Sequence, residues 1–137
     1  MNVPFAGGCA CGAIRYECDV VPMMAFNCHC RDCQRFSGTA YAAGLIVPRS
    51  GFRFTSDEPK YFAATADSGN AVARGFCPTC GSPVVATQAA FPVYVVYAGS
   101  LDDPSAHVPT MDIFTASAQP WDHMDPELPK FPRGLEG

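Results

Sequence analysis

Polar and apolar positions along this chain repeat every second residue, and no sustained helical period appears. Ile14, Tyr16, Cys18 and Val20 alternate with Arg15, Glu17 and Asp19, the signature of a half-buried strand. Cys18 falls in the apolar phase, which makes it a small buried hydrophobe, not a metal ligand. Residues 23–27 read as a short strand leading into Cys28. Arg31–Ser37 reads as one helical turn, ended by Gly38. Residues 41–47 form a strand bounded by Pro48, and Phe52–Phe54 a shorter one. Lys60–Thr65 and Ala71–Phe76 flank the turn signal Asp67-Ser68-Gly69-Asn70. Residues 83–87 and 91–98 are apolar and β-branched enough for core strands. A last strand is expected at 111–115. The tail, from about 117 to 137, carries Pro126, Pro129 and Pro132 and reads as irregular. Gly7-Gly8-Cys9-Ala10-Cys11-Gly12 opens the domain, and its glycines permit tight backbone approach and unusual torsions around two thiols.

Composition supports this reading. Thirteen prolines and twelve glycines break up any helical bundle and suit short strands joined by turns. With 48% hydrophobic and 16% charged residues the chain is not disordered. Its 137 residues match one domain, 1–137, with one core. A net charge of −4 argues against a general nucleic-acid binder. No apolar run reaches the roughly 18 residues of a membrane helix, so no membrane partner is expected. The first eight residues lack the basic and apolar regions of an export signal. The eight cysteines are therefore expected in a reducing, cytoplasmic setting, seven of them as metal ligands with Cys18 spare, and not as disulfides. A homo-oligomer is compatible with the composition.

Two cysteine sets carry the chemistry. Cys28-His29-Cys30-Arg31-Asp32-Cys33 places three thiols within one short loop. C-x-C puts alternate side chains on one face, and C-x-x-C brings two sulfurs together across a turn. Zinc prefers four ligands, so three cysteines leave a position for water or substrate. The bland alternatives are a disulfide or a structural zinc closed by a distant ligand, with Cys18, His107 and His123 as candidates. Cys77-x-x-Cys80-Gly81 has the form of a zinc knuckle. Joined to Cys9-x-Cys11 it makes a closed four-thiolate site, which supports folding but offers no open position. A thioredoxin-like pair at Cys77 and Cys80 would need a βαβ context, and none is visible. Spacing alone also permits other partitions, with Cys9 and Cys11 completing the Cys28 loop.

Around the loop, Arg31 and Arg35 are the expected positive charges, for a thiolate-rich zinc or for a substrate carboxylate. Solvated surface positions are the competing reading for both. His29, between two ligands, should point away from the metal, toward the surface or behind the ligands. Ser37 and Ser82 can donate to the sulfurs, although turn capping is the simpler role. Trp121 and Phe131 read as core packing before they read as a cover for the site.

The ordered motifs resemble those of one family. Gly7-Gly8-Cys9-x-Cys11-Gly12 with Ile14-Arg15-Tyr16-Glu17, then Cys28-His29-Cys30-x-x-Cys33 with Ser37-Gly38, then Arg74-x-Phe76-Cys77-x-x-Cys80-Gly81-Ser82, are similar to the glutathione-dependent formaldehyde-activating enzymes and the centromere protein V group. Gly99-Ser100-Leu101-Asp102 and the Trp121 tail look like that family's C-terminal part. The resemblance implies a mainly β fold of the β-tent type. It implies a structural zinc on Cys9, Cys11, Cys77 and Cys80, and a second, catalytic zinc on Cys28, Cys30 and Cys33. It implies a carbon–sulfur lyase acting on an adduct of an aldehyde with glutathione or another thiol, such as S-hydroxymethylglutathione. A zinc-dependent thiol carrier without turnover, or a structural zinc interaction module, are the alternatives.

Overall fold

The uninterrupted apolar runs of the sequence become strands buried on both faces. A computed structural model of the chain describes residues 1–66 and 68–134. Its strands are β1 (Phe5–Gly8), β2 (Arg15–Cys18), β3 (Met24–Cys28), β4 (Ala42–Pro48), β5 (Phe52–Phe54), β6 (Lys60–Thr65), β7 (Ala71–Phe76), β8 (Pro83–Gln88), β9 (Phe91–Tyr97) and β10 (Asp112–Ile113). One α-helix, α1 (Arg31–Ser37), and four 3-10 turns complete the regular structure among the described residues. The architecture is mainly β, built of short and almost wholly antiparallel strands, as the alternation and turn signals indicated.

Seven strands form one sheet in the order β10-β3-β4-β9-β8-β7-β6, and β1-β2-β5 form a smaller one. Only β10, beside β3, pairs in parallel. The two sheets share a core of Ile14, Tyr16, Leu45, Val47, Val85 and Val96. A second core on the other face of the large sheet holds Phe26, Val72, Ala86, Val95 and Tyr97, together with Cys28, Cys30 and Cys33. Successive side chains of a strand point to opposite faces. Val96 therefore enters the first core while Val95 and Tyr97 enter the second, and Val85 and Ala86 divide likewise. Two buried faces remove the need for polar alternation, which explains the continuous apolar runs of β8 and β9. In β2 only one face is covered. Tyr16 and Cys18 are fully buried there, and Arg15 and Glu17 are not.

Several sequence expectations need correction. Gly7 and Gly8 lie in β1, paired with Tyr16 and Arg15 of β2. A Cβ at Gly7 would sit 2.3 Å from both the Ser100 carbonyl oxygen and the Tyr16 hydroxyl. Close approach, not unusual torsion, is what requires glycine here. The β2 alternation stops at Cys18. The Asp19 N–H turns away to the Gly51 carbonyl at 2.9 Å, and Val20 is exposed. The last strand is only Asp112–Ile113. Phe114 adopts φ 54°, which ends the extended run and opens a 3-10 turn at Thr115–Ser117. Trp121 is 62% exposed and packs in neither core. Arg31–Ser37 makes a seven-residue helix, longer than one turn, with Gly38 at φ 71° as its left-handed cap. The tail is irregular as far as Gly134. Asp67 of the turn 67–70, and residues 135–137 of the tail, lie outside the described residues.

Gly7→Ala is expected to destabilise the protein by about 1–3 kcal/mol, since backbone at Ser100 or the buried Tyr16 ring must give way. Chemical denaturation measures this. An unchanged midpoint would contradict the close packing of β1 on β2.

Candidate metal centre and its cavity

The first cysteine set converges from two distant turns. The Sγ atoms of Cys9, Cys11, Cys77 and Cys80 all lie within 4.8 Å of one another. Cys9 and Cys11 sulfurs are 3.6 Å apart, and Cys11 and Cys77 sulfurs 3.7 Å. A tetrahedral zinc with Zn–S of ~2.3 Å sets its sulfurs about 3.8 Å apart, so the four thiols have a fitting spacing. Peptide N–H groups already face them. Ile14 donates to Cys9 Sγ at 3.2 Å, and Thr79 and Cys80 donate to Cys77 Sγ at 3.4 and 3.5 Å. Gly81, at φ 78°, turns the chain so that its N–H bonds the Cys77 carbonyl at 2.8 Å. Ser82 does more than cap a turn. Its hydroxyl lies 3.2 Å from Cys80 Sγ and accepts from the Ala10 N–H at 3.0 Å, tying the knuckle to the N-terminal loop. That hydroxyl is the main reason the exposed Cys80 thiol is lowered to about 5. Cys18 stays apart, fully buried in the first core.

The second set is buried. Cys28 ends β3, Cys30 caps α1 and Cys33 lies in its first turn, with all three sulfurs within 4.8 Å. Extended backbone at Cys30, φ −64° and ψ 155°, lets its sulfur accept from the Cys33 N–H at 3.3 Å. Hydrogen bonds from Cys28 and Cys33, aided by this N–H and against the effect of burial, hold the Cys30 thiol far down, to about 2. Its two neighbours bear the opposite effect. Cys28 is raised, first by Cys30 and Cys33 and then by burial. Cys33 is lowered by Cys28 but raised more by Cys30 and by burial, and it is pushed up to about 12. One thiolate thus forms readily and further ionisation needs a cation. Among the described residues no histidine, carboxylate or further cysteine joins these three, so neither His107, His123 nor Cys18 closes the set. A soft three-thiol donor set of this kind fits zinc.

The loop carrying these thiols is fastened from the far end of the chain. The His29 side chain is fully buried, not at the surface. Its Nε2 lies 2.8 Å from Asp112 Oδ1 and its Nδ1 2.5 Å from Asp122 Oδ2. Lys130 donates to the other Asp112 oxygen at 3.3 Å. Gln34 of α1 donates to the carbonyls of His29 at 2.7 Å and Ser117 at 3.0 Å. The His29 N–H bonds the Ile113 carbonyl at 3.0 Å. Asp112 and Asp122 lie 83 and 93 residues from His29, and no local pattern in the sequence announces them. Ser37 has the capping role expected, accepting from Thr39 N–H at 3.2 Å and donating to the Tyr41 carbonyl at 3.1 Å.

The three thiols line a cavity of about 110 Å³ whose walls are mostly apolar, including Phe26, Val72, Val95 and Phe114. The positive charge beside them comes from neither Arg31 nor Arg35, both of which are exposed. Arg31 pairs with Gln34 Oε1. Arg74 of β7 supplies the charge from the cavity wall, with the residue only 6% exposed. Burial lowers its pKa, while Tyr97, Cys33 and Cys30 beside it more than offset that and hold it above the ordinary value. The sequence does carry a signal for it: Arg74 stands in phase with Val72, so the same alternation that buries Val72 buries Arg74. Gly44, opposite Phe26 on β4, keeps the cavity open, since a Cβ there would meet Val95 and Phe26 side chains at 2.9 and 3.0 Å.

Fold and clusters together define a mainly β protein with two cysteine sets able to hold metal. Residues 4–117 match the family model described as glutathione-dependent formaldehyde-activating enzyme, and the chain belongs to that family. A solved structure of a Rhodobacter sphaeroides protein is similar in fold, with a TM-score of 0.58 at 23% identity, covering 76% of this chain and 97% of that one. No curated protein sequence matches.

His29→Ala leaves two buried carboxylates without the donor they share, and an expected loss of about 3–5 kcal/mol follows. Thermal and chemical unfolding check it. A neutral effect would show that the C-terminal segment does not secure the cysteine loop.

Proposed function

We propose that this protein is a zinc-dependent carbon–sulfur lyase acting on thiol–aldehyde adducts. The supporting observation is the buried set of Cys28, Cys30 and Cys33, which lines a cavity and has no fourth protein ligand among the described residues. The four-thiol set, Cys9, Cys11, Cys77 and Cys80, serves the fold, and the three-thiol set serves the reaction. Zinc bound there supplies a Lewis-acid position that keeps a ligand thiol ionised near neutral pH.

The chain's own residues do the rest. Cys28, Cys30 and Cys33 hold the reacting sulfur's position from one loop. Apolar walls exclude bulk water from it. In the synthetic direction the substrate sulfur bonds to the aldehyde carbon, the C=O π pair moves to oxygen, and that oxygen takes a proton. In the lyase direction the hydroxyl proton passes to solvent, the C=O bond re-forms, the C–S bond breaks with its electron pair on sulfur, and that sulfur takes up a proton, returning a thiol. Both directions balance without an oxidant or reductant. Drug-sized ligands occupy about 300–1,000 Å³. A cavity of about 110 Å³ therefore takes the sulfur and the carbon it bonds, with the remainder of a larger thiol such as glutathione outside.

Protein purified under reducing conditions is expected to carry two zinc ions per chain. It is expected to accelerate formation or breakdown of S-hydroxymethylglutathione, or of a smaller thiol adduct, over the uncatalysed rate. Cys33→Ser should abolish the acceleration. Thiol binding without any acceleration would make the protein a carrier, and absence of both would leave a structural zinc module.

A further inference from the structure

Arg74 presents an unusual combination for a side chain in an apolar wall. It is only 6% exposed, yet its Nε–H is buried and no protein group among the described residues accepts from it. Burying an N–H without an acceptor is costly, and more so when the group is charged. Arg74 lines the same cavity as the three thiols, with Cys33, Cys30 and Tyr97 beside it. Among the described residues lining that cavity none is a carboxylate. Register fixes the placement. Arg74 pairs with Ala86 of β8, and the face they share also carries Val72 and Val95 and looks onto the cysteine loop. Apolar packing cannot explain the residue, since Met or Leu would serve it without the cost, and the thiols of Cys33 and Cys30 that attract its charge leave the Nε–H without an acceptor.

We propose that Arg74 is the oxygen-binding residue of this cavity, its Nε–H donating to an oxygen carried on a carbon next to, or one removed from, the ligand sulfur. The inference deepens the lyase reading and rests on it. An adduct has sulfur and oxygen on one carbon, so sulfur at the cysteine set places its oxygen within a cavity too small to lead it far from Arg74. When the hydroxyl proton leaves, negative charge develops on that oxygen, and a fixed guanidinium favours this charge more than it favours the neutral hydroxyl. The oxygen then carries its electron pair into the re-forming C=O bond as the C–S bond breaks. The same subsite accepts any small thiol bearing a nearby carboxylate, because the donor reads oxygen acceptors and a cation prefers anionic ones.

Three probes test the assignment on the zinc-loaded full chain by calorimetry: ethanethiol, with sulfur alone; mercaptoacetate, with sulfur and carboxylate; and acetate, with carboxylate alone. Wild-type protein is expected to bind mercaptoacetate at least ~10-fold more tightly than ethanethiol, the scale of one charge-assisted hydrogen bond. In Arg74→Met that ratio should fall to about one, with zinc content and melting temperature retained to show that the fold survives. Arg74→Lys keeps a charge without the planar fork and should recover only part of the ratio. A wild-type ratio near one, a ratio unchanged in Arg74→Met, or full recovery with lysine would overturn the assignment. Acetate separates this inference from the reading beneath it. If no thiol binds but acetate binds wild type and not Arg74→Met, the oxygen subsite stands and the thiol reading falls. If ethanethiol binds while the carboxylate adds nothing, the thiol reading stands and the subsite falls.

Discussion

Sulfurs held within 4.8 Å of one another repel once they ionise, and two clusters of this chain are built that way. A cation among them turns that repulsion into cohesion and links its binding free energy to folding. In the four-thiol set the link is long-range. Cys11 and Cys77 are 66 residues apart, so the set ties the N-terminal loop to the turn between β7 and β8. Cys9 and Cys77 of this set also pack in the core that the two sheets share. The donor N–H groups of Ile14, Thr79 and Cys80, and the hydroxyl of Ser82, hold the sulfurs in place from the protein side.

The three-thiol set answers the same constraint differently. Its sulfurs come from one loop, and what holds that loop is protein: the backbone ladder of β3, the cap of α1 and the buried His29 between Asp112 and Asp122. The closed set welds distant parts of the chain, while the other sits at the end of a cavity with a charged wall. The proposed division between a structural and a reactive role rests on this difference in surroundings together with the ligand count. It also explains why the C-terminal part of the chain matters: β10 carries Asp112 and the irregular tail carries Asp122, the two carboxylates that fix His29.

Much of this was legible in the residues. Period-two alternation placed β2 and β5, the turn signal at 67–70 placed β6 and β7 on its two sides, and the continuous apolar runs placed β8 and β9. Cysteine spacing gave the two sets, and geometry then chose between the partitions that spacing left open. What escaped were contacts between residues far apart in sequence. The residues beside Gly7 allow close approach or unusual torsion alike, because what decides between them, the ring of Tyr16 and the carbonyl of Ser100, comes from elsewhere in the chain. Asp112 and Asp122 have no local mark at all. Arg31 and Arg35 drew attention by adjacency, yet both face solvent, whereas Arg74 reaches the thiols through strand register. Arg74 was readable in principle, since a charged residue in the buried phase of a strand asks for a partner.

The central claim is that four cysteines close one metal site while three hold the other and leave a position open. X-ray absorption at the zinc edge, on protein carrying two zinc ions, tests it most directly. Seven cysteine sulfurs shared by two ions predict about 3.5 sulfurs per zinc with a light-atom ligand making up the remainder, rising to about 4 when a small thiol is added. Four sulfurs per zinc before any thiol is added, or a count that added thiol leaves unchanged, would contradict the account.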